Sequence, residues 1–134
     1  MTVLVGFVPT PEGEAAFTAG LAEARRRQEG LLVLNTPRGG APVSADVAPP
    51  ELVRSLTSRA ETDGIALELR QTPHTGDLAD ELLRVADSVD ASVIVIGLRR
   101  RSPVGKLLMG SSAQRILLDA DRPVLAVKPH PTAG

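Results

Sequence analysis

Cysteine, tryptophan and tyrosine are absent from the 134 residues, and Phe7 and Phe17 are the sole aromatic side chains. Without cysteine there can be no disulfide, no thiol chemistry and no thiolate metal site. The two histidines, His74 and His130, stand far apart in the sequence, so no histidine-based metal site is expected. Single-stranded nucleic acid is held largely by stacking bases on aromatic rings. A chain with almost no rings is therefore not expected to bind RNA or DNA. Charge of one sign is also lacking: 15 basic residues face 16 acidic ones. Such a balance gives no surface-wide attraction to nucleic acid or to an anionic membrane. No apolar run reaches the ~18 residues of a membrane span, and the first residues lack a basic-then-apolar signal pattern. The expectation is a soluble cytoplasmic protein with one domain over residues 1–129 and a short tail, 130–134.

What remains is Leu, Val, Ile and Ala, arranged in alternating strand-like and helix-like runs. Thr2–Phe7 reads as a strand. Thr10 is placed to cap a helix, with Pro11 at its first position and Glu12 and Glu14 in the first turn, where the helix dipole favours negative charge. Ala15, Ala16, Ala19, Leu21, Ala22 and Ala24 supply an apolar face, and Gly30 marks a stop. The alanines suggest a helix lying close against a sheet. Leu31–Asn35 is a second strand, and the Pro- and Gly-rich residues 36–50 form a long connection, either functional or a plain linker.

Leu52, Val53, Leu56 and Ala60 then share one face of a second helix that ends near Gly64. Ile65, Leu67 and Leu69 alternate with Ala66, Glu68 and Arg70, the pattern of a half-exposed edge strand. A third helix begins near Asp77 with Leu78, Leu82, Val85, Ala86 and Val89 at helical spacing. Val93–Ile96 is apolar on both faces and belongs at the centre of a covered sheet. Ser111-Ser112-Ala113-Gln114 fits a capping box with Ser111 as N-cap, and Ile116, Leu117 and Ala120 continue that helix's buried face. Pro123 opens a last strand, Val124–Val127. Strict alternation calls for a parallel α/β sheet with right-handed crossovers and helices on both faces. The first and fourth strands should lie side by side at its centre, and the reversal of strand order between them should open a ligand crevice.

The segment Gly97–Ser111 carries the functional signal. It links the most apolar strand to a helix start through a loop with Arg99, Arg100, Arg101 and Lys106 and no acidic residue. Glycine lets a backbone approach an anion, and the free amides of a helix start point at it. The candidate phosphate or anion site is Gly97, Arg99, Arg100, Gly110, Ser111 and Ser112, with an arginine from 99–101 closing over the ligand. The plain alternative is a solvated basic loop with the serines acting as helix caps. Gly105-Lys106 does not make a Walker loop, because Arg100 stands where glycine is needed and Leu107 where Ser or Thr is needed. No G-x-G-x-x-G occurs, and no carboxylate lies near the loop to place magnesium. His74 has no triad partners, so no catalytic residue and no enzyme activity are expected.

The chain resembles the universal stress protein family across nearly all of residues 2–129. The resemblance is carried by Val3–Phe7 with Pro11–Ala16, by Gly97 through Ser111 into Ala113–Leu117, and by Pro123–Pro129. It implies a Rossmann-like, five-stranded parallel sheet with strand order 3-2-1-4-5, a homodimer through the last strand, and a part in stress survival. One branch of that family binds ATP through G-x2-G-x9-G-[ST]. Gly97, Gly110 and Ser111 match this pattern, whereas Arg100 replaces its second glycine. Where ATP-binding members carry an acidic residue after the first strand, this chain has Val8, followed by Pro9. A left-handed backbone at Arg100 would cost roughly 1 kcal/mol that glycine avoids. The resemblance thus implies ATP or another adenine nucleotide as a cofactor, held weakly or lost, with the pocket vestigial and the dimer an interaction module in the latter case.

Overall fold

A computed structural model describes residues 1–35, 48–71, 77–98 and 110–129. Five strands alternate with four helices among these residues: β1 (Thr2–Gly6), α1 (Pro11–Arg27), β2 (Gly30–Asn35), α2 (Pro50–Thr62), β3 (Leu67–Gln71), α3 (Leu78–Val89), β4 (Ala91–Gly97), α4 (Ser111–Asp119) and β5 (Val124–Val127). The sheet is parallel throughout, in the order β3-β2-β1-β4-β5. β1 and β4 are neighbours at its centre, with Val3 opposite Val93 and Val5 opposite Val95. The half-exposed strand β3 lies at one edge, as its alternation predicts, and β5 lies at the other.

Period-two alternation along β1 divides the core. Val3, Val5 and Phe7 pack with Phe17 of α1 and Leu56 of α2 on one face. Leu4 packs with Leu82 of α3 and Ile116 of α4 on the other. Strands buried on both sides must be apolar on both sides, which is why β1, β2 and β4 read as continuous Val, Leu and Ile.

The helix starts follow their capping chemistry. Thr10 accepts a hydrogen bond from the Gly13 amide at 3.3 Å, and Pro11 occupies the first turn. The Asp77 side chain accepts from the Ala79 amide at 2.9 Å and caps α3. Three boundaries differ from the sequence reading. α1 ends at Arg27 with Gln28 in the left-handed region (φ 56°), and Gly30 instead begins β2. Pro50 opens α2 rather than prolonging the loop, since the first turn needs no amide from it. The N-cap of α4 is Gly110, with Ser111 already helical. Leu117, expected on the buried face of α4, is exposed, and Leu118 beside it is 82% exposed.

Candidate functional site

The reversal of strand order leaves β1 flanked by β2 on one side and β4 on the other, so the chain departs in different directions beyond their carboxyl ends. A cavity of about 140 Å³ opens there. Gly6, Phe7 and Val8 form one wall, Leu34, Ile96 and Gly97 come from the adjoining strand ends, and Glu12 and Gly13 come from the first turn of α1. Leu78 and Leu82 of α3 and Ser112, Ala113 and Ile116 of α4 complete the lining.

Glycine sets how tightly this end of the molecule closes. A Cβ on Gly13 would stand 1.7 Å from the Val8 carbonyl oxygen, and one on Gly97 would stand 2.1 Å from that of Glu12. The first turn of α1 is therefore wedged between the ends of β1 and β4. Further along α1, a Cβ on Gly20 would meet Val5 Cγ2 at 2.4 Å. Gly20 shares the close helix–sheet approach expected of the alanines with Ala16 and Ala24, which are fully buried, while Ala22 faces solvent.

Behind Phe7 sits Asn35, which is fully buried. Its Nδ2 donates to the Phe7 carbonyl at 3.0 Å, and its Oδ1 accepts from the Ala48 amide at 3.0 Å. Gln71 Nε2 donates to the Ala48 carbonyl at 3.3 Å. One side chain thus fixes the end of β1 to residue 48 and, through Gln71, brings in the end of β3.

The two helices on the cavity's other side are tied at their rims. Arg115 of α4 donates to Asp77 at 2.7 Å, reaches Asp119 at 3.4 Å, and also pairs with Asp80. These carboxylates, Asp80 foremost, raise the pKa of the guanidinium further above its ordinary range. Its donors are committed to aspartates rather than offered to a ligand.

Of the residues singled out from the sequence, Gly97 and Ser112 line the cavity together. Gly110 and Ser111 stand at the exposed start of α4, next to that lining. Arg99 and Arg100, with the rest of 99–109, lie outside the described residues, as do 36–47, His74 and the tail. Val8 is one of the wall residues. Sequence reasoning missed Asn35, Gly13 and the contributions of Leu34, Leu78 and Leu82. Gly13 carried a usable signal: a glycine in the first turn of an alanine-rich helix asks for a steric reason. Leu78 and Leu82 carried none, since a cavity wall and a packed core have the same helical spacing.

Comparison with known proteins agrees with this architecture. The model of the universal stress protein family matches residues 1–128. A universal stress protein of Mycolicibacterium smegmatis is 48% identical over 128 residues, covering 96% of this chain and 98% of that one. A universal stress protein structure from Archaeoglobus fulgidus superposes with a TM-score of 0.78 at 30% identity, over 94% of this chain and 97% of the other. A second structure from the same organism, in complex with dAMP, gives 0.72 at 26% identity, over 94% and 96% of the two chains. With the sheet order, the extent of the family match and the identity to the mycobacterial relative all in agreement, the chain belongs to the universal stress protein family.

Proposed function

We propose that this chain is a non-catalytic regulatory member of its family. It acts in stress response and carries an altered, weak site for an adenine nucleotide or another small anion. The similar protein in complex with dAMP supports the ligand class. The observation that carries the weakening is the crevice itself. At about 140 Å³ it is well below the roughly 300–1,000 Å³ of usual ligand pockets. Val8 is among its wall residues, and an aliphatic side chain has no acceptor to offer. The first turn of α4 remains favourable to an anion, with Ser112 at the cavity and the free amides of the helix start beside it.

A second reading is favoured by β5. This strand pairs with β4 alone, lies at the sheet edge, and keeps all four residues half-buried. Apolar edge strands without charge are templates for pairing, and Lys128 comes only after the strand has ended. A homodimer about a two-fold axis would satisfy that edge. In this reading the protein is a dimeric interaction module and the crevice is vestigial. Mass spectrometry of small molecules released from the purified protein separates the two: a nucleotide below stoichiometric amounts supports the first, and a clean blank supports the second.

A further inference from the structure

Among the described residues, the crevice lining is apolar apart from two side chains. Among the described lining residues, the polar side chains are Glu12 and Ser112, each in the first turn of its helix, at the carboxyl edge of the sheet. One turn deeper along α3 and α4 stand Leu82 and Ile116, and the strands beneath them add Leu34 and Ile96.

Part of the main chain at this wall is already committed. The Phe7 amide donates to the Leu34 carbonyl at 2.9 Å, and the Phe7 carbonyl accepts from Asn35 at 3.0 Å. The Val8 carbonyl accepts from the Thr10 amide at 2.8 Å, and the Leu98 amide donates to the Val127 carbonyl at 2.7 Å. Among the described residues, Leu34, Leu82, Ile96 and Ile116 offer a heterocyclic base no side-chain partner for its ring nitrogens and amino group, and an unpaired buried polar group is costly. A hydrocarbon group would lose nothing there.

We infer that the deep part of the crevice takes an apolar group, a single aromatic ring or a branched acyl group of about six heavy atoms, the size at which a Leu- and Ile-lined cavity of ~150 Å³ accepts benzene. The ligand class is an amphiphile that buries this group between α3 and α4 and leaves its polar part at the mouth, beside Ser112. The inference rests on reading this crevice as the ligand site, and it differs from the nucleotide proposal in what fills the floor.

Methyl-resolved NMR of the full chain tests it, with benzene, benzyl phosphate, inorganic phosphate and AMP as separate probes. Benzene should shift the methyl signals of Leu34, Leu82, Ile96 and Ile116 saturably. Benzyl phosphate should bind at least about tenfold more tightly than inorganic phosphate, a gain of some 1.4 kcal/mol. The Ala113→Leu substitution, which fills the cavity, should weaken benzene at least tenfold, while Ile116→Val, which enlarges it by one methyl group, should retain binding. An absence of saturable methyl shifts with benzene in the unsubstituted protein overturns the inference, whatever the variants do. AMP reports on the other proposal: methyl shifts with benzene and none anywhere with AMP sustain the apolar site and remove the nucleotide. Shifts with AMP and none with benzene do the reverse.

Discussion

A side-chain carbon on Gly97 would stand 2.1 Å from the carbonyl oxygen of Glu12. The end of the central strand β4 and the first turn of α1 thus touch backbone to backbone, and the crevice takes its outline from that contact. Gly13 repeats the relationship against the Val8 carbonyl at 1.7 Å.

Glycine to alanine in a helix interior ordinarily gains about 0.5–1 kcal/mol. Gly13→Ala should invert that sign, because the added carbon meets a backbone oxygen that cannot move without shifting the end of β1. A loss of about 1–3 kcal/mol is expected, as for other overpacking changes, and Gly97→Ala should behave alike. Urea denaturation measures both, and a stabilised Gly13→Ala protein would contradict the wedged helix start.

Asn35 is the second structural key to the crevice. Asn35→Leu would leave the Phe7 carbonyl and the Ala48 amide without this partner. The expected cost is about 1–3 kcal/mol for each group stranded in the interior. Asn35→Asp sharpens the test, since an ionised carboxylate would face the Phe7 carbonyl oxygen. Burial raises the pKa of such an acid, so the variant should become less stable as pH rises through the ordinary carboxylate range. A flat pH dependence relative to the parent would count against the assignment of this bond.

Much of this architecture is legible in the sequence. Val93–Ile96, apolar on both faces, belongs at the centre, and Ile65–Arg70, alternating, has the pattern of a half-exposed edge strand. Thr10-Pro11-Glu12 announced a helix start because a capping hydroxyl, a fixed φ and an acid each have one favoured place there. Two of the candidate site residues line the crevice. Gly97 and Ser112 stand out in the sequence because glycine after a strand and serine at a helix start have physical reasons to be there. Asn35 was not found, because a single asparagine at a strand end reads equally well as a turn residue. The N-cap of α4 was misplaced by one residue, since Ser111 and Gly110 both have cap chemistry and only the backbone path chooses between them.

Acid should weaken the fold through Glu23. Its side chain is one-tenth exposed, and it pairs with Arg26 and, at 3.5 Å, with Arg27. Hydrogen bonding from Arg26 is the main reason its pKa lies below the usual glutamate value, outweighing the opposing effect of desolvation. A carboxylate lowered in the folded state stabilises the fold above its unfolded-state pKa, and that contribution fades as pH falls through the folded value. Glu23→Gln should therefore lower stability near neutral pH and flatten the acid limb of the stability curve. Both arginines are on the helix surface, so high salt should shrink the difference.

The proposed dimer makes a separate demand on β5. Leu125→Lys or Val127→Lys places a charge on the edge strand and should give monomer by sedimentation or light scattering. The unsubstituted protein running as a monomer at micromolar concentration would remove this part of the account.

Calorimetric titration of the purified protein with Mg-ATP tests the central claim most directly. With Val8 at the wall of a cavity of about 140 Å³, the account predicts weak heats that do not saturate at one nucleotide per chain, or none at all. Tight binding of one ATP per chain would contradict it.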